Sequence, residues 1–233
     1  MSSGEHDMWD DLNIEYERAY GNNPYKKACV QEAIRLLNPG SRVLDVGCGT
    51  GVPTSQLLAD AGMKVEGIDV APKMVEHAQQ KVKGVFTSSD MESYVPSGSF
   101  AGIFIIYSQL GLSYSSFCAS VYKLARTLEP GGLLVIGQSP ADPTVPKDDP
   151  RWDKTRTFVE EYNLPFWGKP FATLMFSGEG QKRWLQSLGL DIVYEELAEF
   201  KPDHEKCDRE YQQYVIARWK GENGISEPKP LPG

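Results

Sequence analysis

The spacing of apolar positions changes several times along the chain, and each change marks an element. Between residues 7 and 20, Trp9, Leu12, Tyr16 and Tyr20 recur at three- and four-residue steps, which predicts an amphipathic helix. Asn22, Asn23 and Pro24 then offer a helix cap and a first-turn proline. A second helix follows to about Leu37, with Val30, Ala33, Ile34 and Leu37 on one face, and Asn38, Pro39 and Gly40 stop it. From Arg42 the rhythm alternates. Residues 42–46 and 64–69 read as strands, separated by a glycine-rich turn and a helix that opens near Pro53 and closes at Gly62. Pro72 opens a helix with Met74, Val75, Ala78 and Val82 on one side, and residues 85–88 form a third, weaker strand. Residues 100–107, FAGIFIIY, are continuously apolar, as in a strand buried on both faces of a parallel sheet. A helix over 117–128 and a turn through Glu129, Pro130, Gly131 and Gly132 lead into a fifth strand at 133–138.

Strand–helix alternation with short connections predicts a doubly wound α/β fold, a parallel sheet with helices on both faces. Residues 139–177 break the rhythm. Pro140, Pro143, Pro146 and Pro150 come first, then Trp152, Phe158, Tyr162, Phe166, Trp167 and Phe171. This segment reads as an insertion, partly helical, folded over the sheet edge as a substrate cap. Residues 178–188 read as a helix, and 190–199 and 211–220 as two strands paired antiparallel. The expected organisation is one domain over 1–220, with residues 1–37 as an N-terminal helical cap, and a flexible polar tail over 221–233.

Composition narrows the possible partners. The net charge is −8 and no run of Lys and Arg offsets it, so a nucleic acid is not expected as a partner. A hydrophobic fraction of 40% rules out wholesale disorder. No apolar stretch reaches about 18 residues and the N-terminus lacks a signal-peptide core, so the expectation is a cytoplasmic protein with no membrane partner. Cys29, Cys48, Cys118 and Cys207 show no metal-ligand spacing, and no metal is expected.

The candidate chemistry sits at strand ends. The first strand delivers Asp45 and then Gly47-Cys48-Gly49-Thr50-Gly51. Glycines permit a sharp turn and a close ligand approach, and the following helix points free N–H groups at the bound molecule. A dinucleotide site would show G-x-G-x-x-G, but Val52 stands where its last glycine would be. Asp69 closes the second strand, where a carboxylate accepts from a ribose diol; the plainer reading is a cap ahead of Pro72. Asp90 follows the third strand, where a carboxylate accepts from the exocyclic amine of adenine; the plainer reading is a loop cap. His204, in KPDHEKCD with Asp203 and Cys207, reads as part of a solvated loop.

Taken in order, VLDVGCGTG, GIDVAPKMVEHA, SSDM, FAGIFIIY and LEPGGLLVIG resemble the class I S-adenosylmethionine (SAM)-dependent methyltransferases. The resemblance implies a Rossmann-like seven-stranded sheet in the order 3-2-1-4-5-7-6 with strand 7 antiparallel. It implies that Gly47, Gly49 and Gly51, with Cys48 between them, line the methionine part of SAM, and that Asp45 supports the turn. It puts Asp69 on the ribose, Asp90 and Met91 around the adenine, and Val70 and Met74 in the same site. Tyr107 would face the methyl donor, and Tyr16 and Tyr20 would reach the cofactor from the N-terminal helix.

The expected activity is in-line methyl transfer to a hydrophobic or aromatic small molecule, driven by positioning. Tyr107, Gln109, Tyr114 and the aromatic residues of the insertion are expected to shape the acceptor pocket. No residue is marked as a general base. Two rivals share the scaffold: a SAM-binding enzyme of cyclase or pericyclase type that transfers no methyl, and a non-catalytic SAM-binding module. A homodimer is one further expectation.

Overall fold

The computed structural model describes residues 3–228. Residues 229–233 of the predicted tail lie outside the described residues. Two helices come first, α1 (Ser3–Tyr20) and α2 (Pro24–Leu36). The alternating part follows: β1 (Arg42–Val46), α3 (Thr54–Asp60), β2 (Lys64–Asp69), α4 (Pro72–Lys81), β3 (Val85–Ser88), β4 (Phe100–Ile106), α5 (Tyr114–Ala125) and β5 (Leu128–Gln138). The last elements are β6 (Phe158–Phe166), β7 (Lys169–Phe176), α6 (Gly178–Ser187), β8 (Leu190–Phe200) and β9 (Glu210–Trp219).

The main sheet has seven strands in the order β3-β2-β1-β4-β5-β9-β8. Because β6 and β7 form a separate sheet, this is the expected order 3-2-1-4-5-7-6, and β9 runs antiparallel to both β5 and β8. Every residue of β4 is buried, since helices cover both faces of the central strands. Alternate residues of β1 feed opposite cores. Val43 joins Val30 and Ala33 of α2, Leu58 of α3 and Val75 of α4. Leu44 joins Val121 of α5 and Leu185 of α6.

Two caps decide where the helices begin. Asn23 Oδ1 accepts from the backbone N–H groups of Tyr25 (3.0 Å) and Lys26 (3.1 Å), with Pro24 in the first turn. Its amide donates to Gln212 Oε1 at 2.7 Å and to the Tyr214 hydroxyl at 3.2 Å, both on β9. Asn23 is fully buried, so this one side chain both starts α2 and docks it on the sheet. Ser113 caps α5 by accepting from Ser116 N at 3.1 Å.

Two expectations need correction. Residues 129–132 are not a turn before the fifth strand; they belong to β5, with Gly131 at φ +83° and a bulge opposite Phe100 and Gly102. A bulge with a left-handed glycine bends a strand without ending it. The insertion is a β-hairpin and not partly helical. Along β6, Tyr162, Leu164 and Phe166 are half-buried while Glu161, Asn163 and Pro165 are exposed, a period of two that the aromatic residues disguise. Trp167 and Gly168 close the hairpin at φ +51° and +72°. Two positive φ values give a turn whose twist matches the strands it joins. The hairpin's base enters the main core through Phe158, Leu174 and Phe176. Its tip reaches α1 instead.

Candidate active site

The carboxyl ends of β1, β2 and β4 open into one cavity. Its wall includes Asp45, Gly47, Cys48, Gly49, Asp69, Val70, Met74, Met91, Tyr107 and Ser108. The glycine turn that follows β1 holds Gly47 at φ +68° and Gly49 at φ +55°, a region that other residues enter only with strain. The backbone N–H groups of Gly47 and Cys48 donate to Ile68 O at 2.8 and 3.0 Å, which ties the turn to β2. A Cβ on Gly49 would meet only Met74 Sδ, at 3.9 Å, so this side of the turn stays clear. Gly51 is different. A Cβ there would come within 2.8 Å of Val82 Cγ2, so it serves close helix packing and is not on the cavity wall.

Asp69 is the hinge between turn and helix. Its Oδ2 accepts from Gly49 N at 2.8 Å and its Oδ1 from Ala71 N at 2.9 Å. Each carboxylate oxygen has a second lone pair, and Asp69 lines the cavity. Burial raises its pKa against the pull of those two N–H groups. Asp45 is buried below the turn and accepts from Ser55 Oγ at 2.6 Å. Burial pushes its pKa up to about 7, opposed by the Ser55 hydrogen bond and by Lys26.

Lys26 is a residue that sequence reasoning missed. A lysine in the first turn of a helix ordinarily reads as a solvated charge, but the Asn23 cap turns this one inward, and only 7% of it is exposed. It lines the cavity with Nζ 5.5 Å from the centre of the Tyr107 ring. Burial pushes its pKa down to about 8, while Asp45 and Glu210 pull it back up. Tyr107 has φ +60°, which is uncommon for a bulky side chain. Its ring meets Tyr214 edge-on at 6.1 Å, and its hydroxyl is buried with no hydrogen-bond partner among the described residues.

The roof comes from α1. This helix kinks at Asn13 (φ 17°, ψ −100°), and it is held across α4 at two points. Asp10 Oδ1 accepts from Lys73 N at 2.9 Å, and Glu17 pairs with Lys81 at 2.6 Å. Trp9 and Tyr16 line the cavity and meet edge-on at 5.6 Å. Trp9 also touches Phe166 (5.5 Å) and Phe171 (6.3 Å) of the hairpin. The aromatic spacing of α1 was legible, but not that Trp9 would face a cavity.

Three expected site residues lie off the cavity wall: Tyr20, Gly51 and Asp90. Tyr20 stacks behind Tyr16 at 4.6 Å and donates to Glu210 Oε2 at 3.4 Å. Asp90 turns back on its own loop, where it accepts from Glu92 N (2.9 Å), Ser93 N (2.7 Å) and Ser93 Oγ (2.6 Å). The Ser93 hydroxyl, before all else, keeps its carboxyl ionised below the usual range. The cap reading therefore accounts for the Asp90 carboxylate here. Gln109 and Tyr114 are also absent from the wall: Gln109 is buried, and Tyr114 stacks on Phe158 at 4.0 Å, inside the packing of α5 against the hairpin. The loop of Asp203, His204 and Cys207 is only partly solvated. The His204 and Trp167 rings meet at 4.2 Å, tilted by 55°, and Cys207 is buried in a cluster with Tyr20.

Residues 43–132 match a family model described as a methyltransferase domain. Over that stretch the chain is similar to a methyltransferase domain, and its fold is that of the class I SAM-dependent methyltransferases. It is similar to the 2-methyl-6-phytyl-1,4-hydroquinone methyltransferase of Synechocystis, with 30% identity over 191 residues. That alignment takes in 73% of this chain and 57% of the relative, so the chain spans little more than half the length of that methyltransferase. Among solved structures, magnesium protoporphyrin IX methyltransferase from Synechocystis with bound S-adenosylhomocysteine superposes with a TM-score of 0.64 at 19% identity, over 93% of this chain and 94% of that one. The cyclase SpnF superposes with a TM-score of 0.62 at 19% identity, over 92% and 94%. The methyltransferase fold thus carries more than one chemistry, and fold alone does not choose between them.

Proposed function

We propose that this protein transfers a methyl group from SAM to a hydrophobic or aromatic small molecule. The observation that carries the reading is one cavity with two unlike halves. Its floor is a glycine turn with a clear face beside two buried carboxylates, and its roof is aromatic. The residues present fit the cofactor. The open side of Gly49 admits the methionine end, and the free lone pairs of Asp69 accept from the ribose diol. The apolar side chains of Val70, Met74 and Met91 suit the adenine faces, with Cys48 completing the turn.

When bound, SAM supplies an electrophilic methyl group on a positive sulfur. The chain's own residues supply alignment and exclude water. Tyr107, packed edge-on against Tyr214, stands at the end of β4 with its hydroxyl unpartnered among the described residues. Trp9 and Tyr16 cover the opening, and Phe166 and Phe171 support Trp9 from the hairpin. The roof offers ring faces and carries no charge of its own, which suits an apolar or aromatic acceptor. The hairpin and α1 act together as the substrate cap.

The test is turnover of a metabolite panel with methyl-labelled SAM. The expected result is label on one acceptor and one S-adenosylhomocysteine formed per acceptor consumed. Conversion of an acceptor with SAM left intact would replace the transferase reading by that of a non-transferring enzyme.

A further inference from the structure

The connection from β3 to β4 opens with one helical turn, closed by a hydrogen bond from Tyr94 N to Asp90 O at 3.0 Å. A single turn leaves the amides and carbonyls at its ends open, and it does not hold by itself in water. Here a charge closes each end. Asp90 takes the N–H groups of Glu92 and Ser93 at the front. At the back, the carbonyl oxygens of Met91, Glu92 and Tyr94 converge on the Lys123 ammonium of α5, which donates to them at 2.9, 2.7 and 2.8 Å. An ammonium has three donors, and all three are used. Anion first and cation last is the order that a helix dipole favours. Val121 and Leu124 anchor this part of α5 in the main core, which fixes where the ammonium stands. Met91 rides on the turn. It is only 4% exposed and lies on the cavity wall, whereas Lys123 does not.

We infer that Lys123 is a positioning residue for the nucleobase end of the cavity, holding the turn 90–94 so that Met91 keeps its place on the wall. The inference rests on the reading of Val70, Met74 and Met91 as the side chains that face adenine. Lys123 approaches from α5 and acts on a ligand only through the turn. Without its ammonium, three carbonyls must find water and the back of the turn opens, while Asp90 still holds the front. Tyr94 remains anchored by its hydroxyl on Glu66 of β2, so the change stays local. Met91 then gains freedom, and its apolar contact with the base weakens. The glycine turn and the aromatic roof are untouched. The cost therefore falls on cofactor binding and not on the methyl-transfer step. A lysine that served the fold alone would lower the stability of the whole chain and act on cofactor and acceptor alike.

Three measurements test this. In ligand-free protein, hydrogen exchange over residues 90–94 should be about tenfold faster in Lys123→Met than in wild type, with the strands of the main sheet unchanged. Calorimetric affinity for SAM should fall about tenfold, the scale of one apolar side-chain contact, while kcat at saturating SAM and the acceptor KM stay at wild-type values. Met91→Ala should lose as much SAM affinity, and the double variant no more than either single one, because both act through one contact. Unchanged exchange in Lys123→Met would overturn the assignment. So would faster exchange with unchanged SAM affinity, or additive losses in the double variant. Met91→Ala binding SAM as tightly as wild type would overturn it without any change at Lys123, so a folding defect in Lys123→Met does not shield the inference. If wild type itself bound no SAM, the reading of the cavity would fall and the inference with it, an outcome distinct from the others because wild type binds SAM in all of them.

Discussion

The floor and the roof of the cavity are built on different principles. The floor is backbone. Gly47, Gly49, Ile68 and Asp69 are locked by hydrogen bonds between β1 and β2, and the only freedom left is the open side of the turn. The roof is side chain. Trp9, Tyr16, Phe166 and Phe171 meet as rings at 5.5–6.5 Å, carried by a kinked helix and a hairpin tip from opposite parts of the sequence. Backbone geometry constrains which residues are tolerated, whereas ring packing tolerates exchange among apolar groups of similar size. The difference separates a part suited to a fixed ligand from a part that can be retuned for different acceptors.

Asp69→Ala attacks the floor and should have the largest effect. It removes the proposed ribose acceptor and leaves Gly49 N and Ala71 N without their partner. SAM affinity should fall by about a hundredfold or more, since hydrogen bonds to a charged group contribute roughly 1.5–3 kcal/mol each. Unchanged affinity in a calorimetric titration would mean that the floor does not hold the cofactor as proposed.

Acidity should act on the floor and spare the roof. Burial raises the Asp45 pKa from 3.8 to about 7, so the folded state holds its proton more tightly than the unfolded chain does. The stability contributed by that proton is complete below pH 4 and is lost as pH rises through 7. Asp45→Asn keeps an acceptor for Ser55 and removes the titration. Urea unfolding between pH 4 and 7.5 should therefore show a flatter profile for the variant, by a few kcal/mol at most. Profiles that run parallel would show that Asp45 does not titrate across this range.

Trp9→Ala tests the roof and should act more weakly. Acceptor kcat/KM should fall about tenfold, the equivalent of 1.4 kcal/mol of lost ring contact, with SAM affinity and Tm changed little. If SAM affinity fell as far as acceptor turnover, the roof would belong to the cofactor and the division between the two parts would collapse.

The floor was legible in the sequence because its constraints are local. A strand, a five-residue glycine turn and acids at strand ends lie within some fifty residues, and each residue type has few other uses in that order. The roof was not, because its contacts join residues 9–16 to residues 166–171. Trp9 satisfied the periodicity of its helix without disclosing what it would face. The hairpin was hidden by its prolines and by a Trp-Gly turn, which lacks the usual Asn-Gly signal. Lys26 was hidden because its burial follows from Asn23 reaching β9, a contact between residues some 190 positions apart in chain order. Asp90 shows the converse: its position after β3 was read correctly, but a serine three residues on captured its carboxylate.

The bond from Asn23 to Gln212 and Tyr214 also sets an order of assembly. A ribosome releases β9 after every other strand of the main sheet, so the start of α2 lacks its docking partner until residues 210–219 have emerged. Nascent chains that end before residue 210 can pair β1, β2, β3 and β4 and shape the glycine turn. They cannot fix Lys26. The last strand to emerge completes the chamber from behind, and the newborn protein gains its cation in the cavity only at that moment.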